Sequence, residues 1–304
     1  MKKSKTQTTK KSTQASSKNT RTQKEPEPII IGNTAFEVTI PWKKVEPAYQ
    51  KVLKKAAKTL KIDGFRVGKV PVDIAEKHLD PSKVIEEALQ DIIPDIYLKE
   101  IKKRKLKPLT TPRITPITLA KDNDVKLKVE IAEKPDIKID NYKKIVKKAK
   151  TEAKKSHQAG EEKGHKLDDK HLLDHVYAAL IQTIRPQVPE LLITREVEYQ
   201  LDDLMQKLKR ANIDFDAYLK QMGTDHRSLA NNLATQAVGK MQLMFILDEI
   251  TKKEKFEVSD KELDEYFKEK ADASMKAHSQ EPNYRQYVKE LLLRDKMTQH
   301  LLEI

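Results

Sequence analysis

The chain has 304 residues and a formal net charge of +13, with 35% charged, 38% hydrophobic and only 5% aromatic residues. This length suits about two folded domains, and the high proportion of charged residues favours helices with wide solvated faces over a large sheet core. Cys is absent, which excludes disulfides and thiol chemistry, and the seven Gly leave little for a glycine-rich nucleotide loop. No apolar run approaches the roughly 18 residues of a membrane span, so we expect a cytoplasmic protein without a membrane partner.

Residues 1–28 are predicted to be a disordered basic tail. Before Pro28 this segment contains eight Lys or Arg and two Glu, and it has no large apolar side chain after Met1. Such a segment buries too little surface to offset the entropy of ordering it. Two interpretations remain for the tail, a solubilising extension and an electrostatic tether to a polyanion such as RNA.

Residues 29–140 are predicted to form an α+β domain. Alternation of apolar and polar residues predicts strands over 36–40 and 125–131, with a proline-rich edge strand at 109–117. Apolar residues at steps of three and four predict helices over 45–60 and 81–101, with Pro47 in the first turn of the earlier one. This order predicts an antiparallel sheet with an inserted helical hairpin.

Residues 141–170 are predicted to be a charged linker. Between Val146 and Leu172 the sequence has no Phe, Tyr, Trp, Ile or Val, and Leu167 is its only large aliphatic residue. A segment of this composition is not expected to form a core.

Residues 171–304 are predicted to form an all-α domain of long helices. Helical periodicity recurs over 172–184, 193–208, 215–222, 229–247 and 287–301. Gly223 follows the third pattern at the position where a left-handed helix cap favours glycine. Ser259 and Glu262 have the spacing of a capping box.

No catalytic signature is present in the sequence. The nucleophile elbow, the phosphate-binding loop, the zinc-protease motif and the dinucleotide fingerprint are all missing. His171 and His175 are the best metal candidates, but a transition-metal site needs about four ligands. Asp202 and Asp203 are adjacent and point to different helix faces, so they are not an acid/base pair. The sequence therefore predicts no catalytic residue, no metal and no cofactor.

The most specific signal is the segment 61–71, between the two helices of the hairpin. Gly64 and Gly68 permit a tight turn, which leaves Phe65, Arg66 and Lys69 at an exposed tip. An apolar ring flanked by cations suits a partner that presents phosphate or carboxylate groups. From the residues alone two hypotheses stay open, because Phe65 could instead fold back and cap its own hairpin.

The sequence of this tip, GFRVGKVP, resembles the GFRxGKxP ribosome-binding signature of trigger factor, a bacterial chaperone that meets nascent chains at the ribosomal exit. The order of elements over Phe36–Ile137 is similar to the family's N-terminal domain, and Pro189–Gly223 resembles the start of its helical C-terminal domain. The position after Arg66 is often Lys in the family and is Val67 here. The resemblance implies that the ribosome-binding residues are Gly64, Phe65, Arg66, Val67, Gly68, Lys69 and Pro71.

The resemblance also shows what this chain lacks. The family places a prolyl isomerase domain of FKBP type between these two regions, and such a domain needs an aromatic-lined pocket. No aromatic residue lies between Tyr142 and Tyr177. The likeness therefore implies a shortened trigger factor that retains the docking and client-binding parts and is not an enzyme.

The leading hypothesis is an ATP-independent holdase. Its implied partners are ribosomal protein and RNA at the tunnel exit and nascent or unfolded polypeptides, and the resemblance allows a homodimer when the protein is free. Every Met after the first lies in the C-terminal half, and thioether side chains suit varied partners, although the more common role of any single Met in such a helix is core packing. The predicted client-binding residues are Met205, Met222, Met241, Met244 and Phe245.

Two other hypotheses remain open from the sequence. One is a peptidyl-prolyl isomerase, as in full-length relatives. The other is an RNA-binding protein, contacting nucleic acid through the tail and the loop, without chaperone activity.

Overall fold

The structure is a computed structural model that describes residues 28–159 and 168–304. The predicted disordered tail lies outside the described residues except for Pro28, and so does part of the predicted linker, at 160–167. Within the described ranges the chain combines an antiparallel sheet with many helices, which confirms the α+β fold class. No helix in these ranges has both the length and the apolarity needed to cross a membrane.

The first half of the chain contains a three-stranded sheet and three helices. Its elements are β1 (Ile30–Ile31), β2 (Thr34–Ile40), α1 (Trp42–Ala57), α2 (Val72–Lys77), α3 (Pro81–Arg104), β3 (Arg113–Thr118) and β4 (Val125–Ile131). The sheet order is β2-β4-β3 and both pairings are antiparallel. The proline-rich strand β3 lies at an edge, as its composition predicts, because proline cannot donate to a neighbouring strand.

Helices α1 and α3 cover one face of this sheet. Tyr49 and Leu53 of α1 and Ile85 of α3 are fully buried against the inward side chains of β2 and β4. The two helices run antiparallel, since Lys51 pairs with Asp91 and Lys55, one turn later, pairs with Glu87. The loop 61–71 therefore leaves from the end of the helix pair where α1 finishes and α3 begins.

Helix α1 begins earlier than the sequence predicts. Its first residue is Trp42, so Pro47 lies inside the helix and the prediction that it sits in the first turn is wrong. The Asp124 carboxylate accepts a hydrogen bond from the Trp42 N–H at 3.1 Å. This cap comes from a residue 82 positions away, which local periodicity does not reveal.

The second half of the chain is helical apart from one short strand. Its elements are α4 (Tyr142–Ala159), α5 (Asp169–Ile184), β5 (Val188–Pro189), α6 (Glu190–Arg210), α7 (Phe215–Gln221), α8 (His226–Glu254), α9 (Asp260–Glu269), α10 (Ala273–Ala277) and α11 (Pro282–Glu303). Gly223 has φ +62° after α7, and Ser259 and Glu262 form both hydrogen bonds of a capping box. Both predicted helix ends are confirmed.

Helix α4 corrects the prediction of a linker over 141–170. Tyr142, Val146, Ala149 and Ala153 recur at steps of three and four, and all four are buried. The first three belong to a core shared with α5, α8 and α11. Large apolar residues are scarce in this segment, but alanines at helical spacing are small enough to let two helices pack closely.

A two-stranded parallel pair joins the two halves. Strand β1 pairs with β5, and the Val188 N–H donates to the Ile29 carbonyl at 2.7 Å. Beside it the Asn33 side chain accepts from the Leu191 N–H at 2.8 Å and donates to Glu190 at 3.0 Å. The sequence predicts only helices after residue 171, so this pairing is a feature that it missed.

Candidate functional site

The loop 61–71 rests on a small apolar base. Ala57 at the end of α1, Val70 in the loop and Ala75 in α2 are buried together, and Leu60 and Ile62 pack against them. Residues 63–69 beyond this base are all exposed. The base thus holds both ends of the loop and leaves the tip in solvent.

The backbone of the tip consists of two consecutive turns. The Phe65 N–H donates to the Ile62 carbonyl at 3.1 Å, and the Lys69 N–H donates to the Arg66 carbonyl at 2.9 Å. Gly64 and Gly68 have φ values of +85° and +84°, a region that side chains with a Cβ rarely adopt. The two glycines therefore allow the tight turns of the tip at positions where another residue would be strained.

Phe65 lies at the exposed tip and outside the apolar base. Its side chain is 40% exposed, and neighbouring Val67 is 51% exposed. Neither belongs to the cluster beneath the loop, so the alternative in which Phe65 caps its own hairpin is not adopted. In the part of the chain that the structure describes, the Arg66 and Lys69 side chains make no hydrogen bond or ion pair.

The field around the tip is positive. Lys54, Lys58 and Lys61 are exposed on the last turn of α1 and just after it. Lys55 in the same turn is partly neutralised by Glu87 at 3.0 Å. Such a cluster attracts phosphate and carboxylate groups toward Arg66 and Lys69.

A partly buried hydrogen bond links α1 to α2, the helix that follows the loop. The Tyr49 hydroxyl of α1 donates to Glu76 of α2 at 2.9 Å, and Lys121 contacts the same carboxylate oxygen at 2.7 Å. Burial, together with the Glu76 carboxylate, raises the pKa of Tyr49 to about 12. The hydrogen bond from Lys121 lowers the pKa of Glu76 below its ordinary value. No local sequence pattern indicates this trio, because its three residues become adjacent only in the fold.

The predicted client-binding residues do not form one site. Met205, Met222 and Met244 are 44%, 61% and 46% exposed. Met241 and Phe245 are buried in a core with residues of α6, so the prediction that they bind clients is wrong for these two. They lie four apart on the inward face of α8, whereas Met244 lies on another face.

Two of these three exposed methionines, Met205 and Met244, line separate cavities. Met205 lies beside a cavity of about 810 Å³ at the corner between α6 and α7, together with Ile213 and Phe215. Met244 lies beside one of about 440 Å³ whose lining also includes Tyr177 of α5 and Leu293 of α11. This surface also exposes apolar residues that the sequence did not identify as candidates: Tyr199, Leu201 and Ile213.

One residue of the histidine pair 171 and 175, His171, takes part in the start of α5. His171 Nδ1 lies 2.7 Å from the Asp168 carboxylate, which also accepts the His171 N–H at the start of α5. In the described residues no group of three or more His, Cys, Asp or Glu is placed to hold a metal ion.

Comparison with known proteins gives two matches that together cover residues 26–303. Residues 26–162 match the family described as "Bacterial trigger factor protein (TF)", and residues 137–303 match "Bacterial trigger factor protein (TF) C-terminus". The second match alone covers more than half of the chain. The two overlap at 137–162, which leaves no residues between them.

Individual relatives are similar over part of their length. The chain is 28% identical over 184 residues to trigger factor of Staphylococcus carnosus (strain TM300), which is 60% of this chain and 36% of that relative. It is 30% identical over 116 residues to trigger factor of Staphylococcus aureus strains JH9 and Newman, which is 38% of this chain and 27% of each relative. The chain thus spans about a third of the length of these relatives.

Proposed function

Since this chain belongs to the bacterial trigger factor family, we propose that it is an ATP-independent chaperone that docks on the ribosome through the loop 61–71 and shelters emerging chains on its helices. It works in the cytoplasm, with ribosomal protein and RNA at the tunnel exit and unfolded polypeptides as its partners. We assign docking to residues 29–140 and client binding to the helical second half, with α4 included in that half.

The exposed tip is the observation that carries this proposal. Phe65 stands outside the apolar base, and the cations of Arg66 and Lys69 have no partner within the described residues. A ring and two free cations on a tip whose ends are held by a buried base lose less entropy when they bind than they would on an unanchored loop. Val67 adds exposed apolar surface beside the ring, so apolar contact replaces part of the positive charge that is usual in the family.

Client binding is supported by apolar side chains that the fold leaves uncovered. Tyr199, Met205, Met222 and Met244 are spread over the surface of α6–α8. Surfaces of this kind adapt to varied apolar segments because flexible thioethers pack against different shapes. The chaperone thus needs no single pocket.

We propose that the chain is not a prolyl isomerase. The proposal is supported by the overlap of the two family matches at 137–162. Helix α4 lies within this overlap, and its apolar face is buried in a core. No described feature favours isomerase activity, or RNA binding without chaperoning, as a second candidate function.

Ribosome co-sedimentation tests the docking step. The variant Phe65→Ala/Arg66→Ala/Lys69→Ala is expected to lose co-sedimentation while its helical content and thermal stability stay nearly unchanged, because none of the three side chains packs in a core. A matched control is Leu98→Ala/Lys99→Ala/Lys102→Ala, which removes one exposed apolar residue and two exposed cations from α3. Equal binding by the tip variant and the wild type would refute docking through the loop.

Suppression of aggregation tests the chaperone step separately. The tip variant is expected to suppress aggregation of a diluted unfolded client as well as the wild type does, because the exposed residues of α6–α8 are unchanged. If the wild type itself fails to suppress aggregation at a stoichiometric ratio, the chaperone proposal is wrong even if docking holds.

A further inference from the structure

Helix α4 presents a row of lysines to solvent. Between residues 142 and 159 the sequence has seven Lys and one Glu. Six of these lysines are exposed, and their spacing places them on the face opposite buried Tyr142 and Val146. We call this set the lysine ridge: Lys143, Lys144, Lys147, Lys148, Lys154 and Lys155.

Most of the lysine ridge carries uncompensated charge. Lys143 pairs with Glu254 at 2.9 Å, and Lys148 pairs with Glu152 at 3.6 Å. Within the described ranges the remaining four, at 144, 147, 154 and 155, have no ion pair. They extend over three helical turns, about 16 Å along the axis.

The buried side of the same helix reflects this concentration of charge. Lys150 points inward and donates to the Leu301 carbonyl at the end of α11 at 3.4 Å. Its partial burial, and after that the positive charge of Lys154, lower the pKa of Lys150. The helix thus holds seven amines against a single acidic side chain of its own.

The shape of the surface argues against a membrane partner. A helix that lies in a lipid interface inserts its apolar face between the acyl chains. The apolar face of α4 is instead occupied by α5, α8 and α11, and the described part of the helix exposes no large apolar side chain. A one-sign row without apolar neighbours fits a repeating line of negative charges, which is the geometry of a nucleic-acid backbone.

We propose that the lysine ridge binds the phosphate backbone of RNA, as a contact separate from the loop 61–71. Lysines act as point charges toward phosphate and do not read bases, so this contact is independent of sequence and sensitive to salt. The inference goes beyond the proposed function and does not rest on it, because the ridge and the tip belong to different helices and different cores.

The test measures RNA affinity of the full chain over a series of salt concentrations, by fluorescence anisotropy of a labelled oligouridine. Gln has nearly the helix propensity of Lys, so substitution by Gln removes charge and leaves the helix. The ridge variant is Lys144→Gln/Lys147→Gln/Lys154→Gln/Lys155→Gln. The control removes the same charge at four exposed lysines elsewhere: Lys220→Gln/Lys268→Gln/Lys270→Gln/Lys276→Gln.

The ridge variant is expected to reduce the slope of log affinity against log salt by about 2 to 3, since each phosphate contact with a single strand contributes about 0.7. The control is expected to change it by less than about 1. Arginine at the same four ridge positions keeps the charge and should keep the slope. The tip variant should also keep it, which separates this contact from ribosome docking.

Three outcomes would overturn the inference. An unchanged slope in the ridge variant would mean that the lysines only solvate the helix. An equal decrease in ridge variant and control would mean that net charge alone matters. Ridge-dependent binding to vesicles containing phosphatidylserine, without ridge-dependent binding to oligouridine, would make an anionic membrane the partner.

Discussion

The docking loop and the helical surface expose apolar side chains in two different ways. In the loop, Phe65 and Val67 lie two residues apart on a tip that is held by a buried base. Two glycines with positive φ allow its tight turns. On α6–α8 the exposed residues are scattered, and Met205 and Met244 line different cavities. A single fixed partner favours a small, preorganised contact, whereas varied partners favour a dispersed and adaptable one.

The largest effect on stability is expected from a comparison of substitutions on the buried and the exposed faces of α8. Phe245→Ala should lower the free energy of unfolding by about 3–5 kcal/mol, because it empties a core. Met244→Ala should change it by less than about 0.5 kcal/mol and should weaken the suppression of aggregation. Urea denaturation of both variants gives the measurement. Similar destabilisation by the two would show that Met244 also belongs to the core.

The backbone of the loop can be strained while Phe65, Arg66 and Lys69 are kept. Gly68 has φ +84°, and an added Cβ would lie at an ordinary 3.6 Å from the Lys58 carbonyl oxygen, so Gly68→Ala should cost about 1–2 kcal/mol through backbone strain. Ribosome affinity should fall with it. Gly239→Ala in α8 is the matched control, since nothing lies within 4 Å of the new Cβ, and it should stabilise the chain by about 0.5–1 kcal/mol. Ribosome affinity as high in Gly68→Ala as in the control would contradict a preorganised loop.

The support beneath the loop should depend on pH. The pKa of Glu76 is lower in the folded state than its ordinary value, so its ionised form stabilises the fold above that ordinary value and the contribution is lost as the pH falls through the folded pKa. Glu76→Gln should therefore reduce the free energy of unfolding by up to about 1 kcal/mol near neutral pH and by less in acid. Glu37→Gln, at an exposed position of β2, is the matched control. A difference that grows toward acid would reverse the assigned sign.

No effect is expected in an assay of prolyl isomerase activity. Uncatalysed prolyl isomerisation takes tens to hundreds of seconds, so even weak catalysis is visible in a protease-coupled peptide assay. We expect no acceleration by this chain, with a relative that contains the isomerase domain as the positive control. Measurable turnover would reveal an apolar pocket for proline and would place a third kind of apolar contact beside the two compared above.

Local sequence patterns predicted the elements that depend on neighbouring residues. The positive φ angles at Gly64 and Gly68, the cap at Gly223 and the capping box at Ser259 all arise within a few residues. Alternation over 125–131 likewise predicts β4, whose inward side chains are buried.

Features that depend on distant residues were not predictable in this way. Asp124 caps α1 from across the domain, and β1 meets β5 over 158 positions. The buried alanines of α4 are only weakly hydrophobic, so the seven lysines of the helix dominate its composition and the segment was predicted to be a linker. Met241 and Met244 are the same residue type on one helix, and only the packing of α6 decides which is buried.

The parallel pair between β1 and β5 sets an order of events during the protein's own synthesis. The sheet, its helices and the loop 61–71 are complete once residue 131 has been made, and domains generally fold from the N-terminus as they emerge. Strand β1 cannot pair until Val188 and Pro189 have been made, and these follow residue 131 by more than fifty residues. The docking part is therefore formed before the junction closes, and Ile30–Asn33 is the last piece of the first half to reach its place.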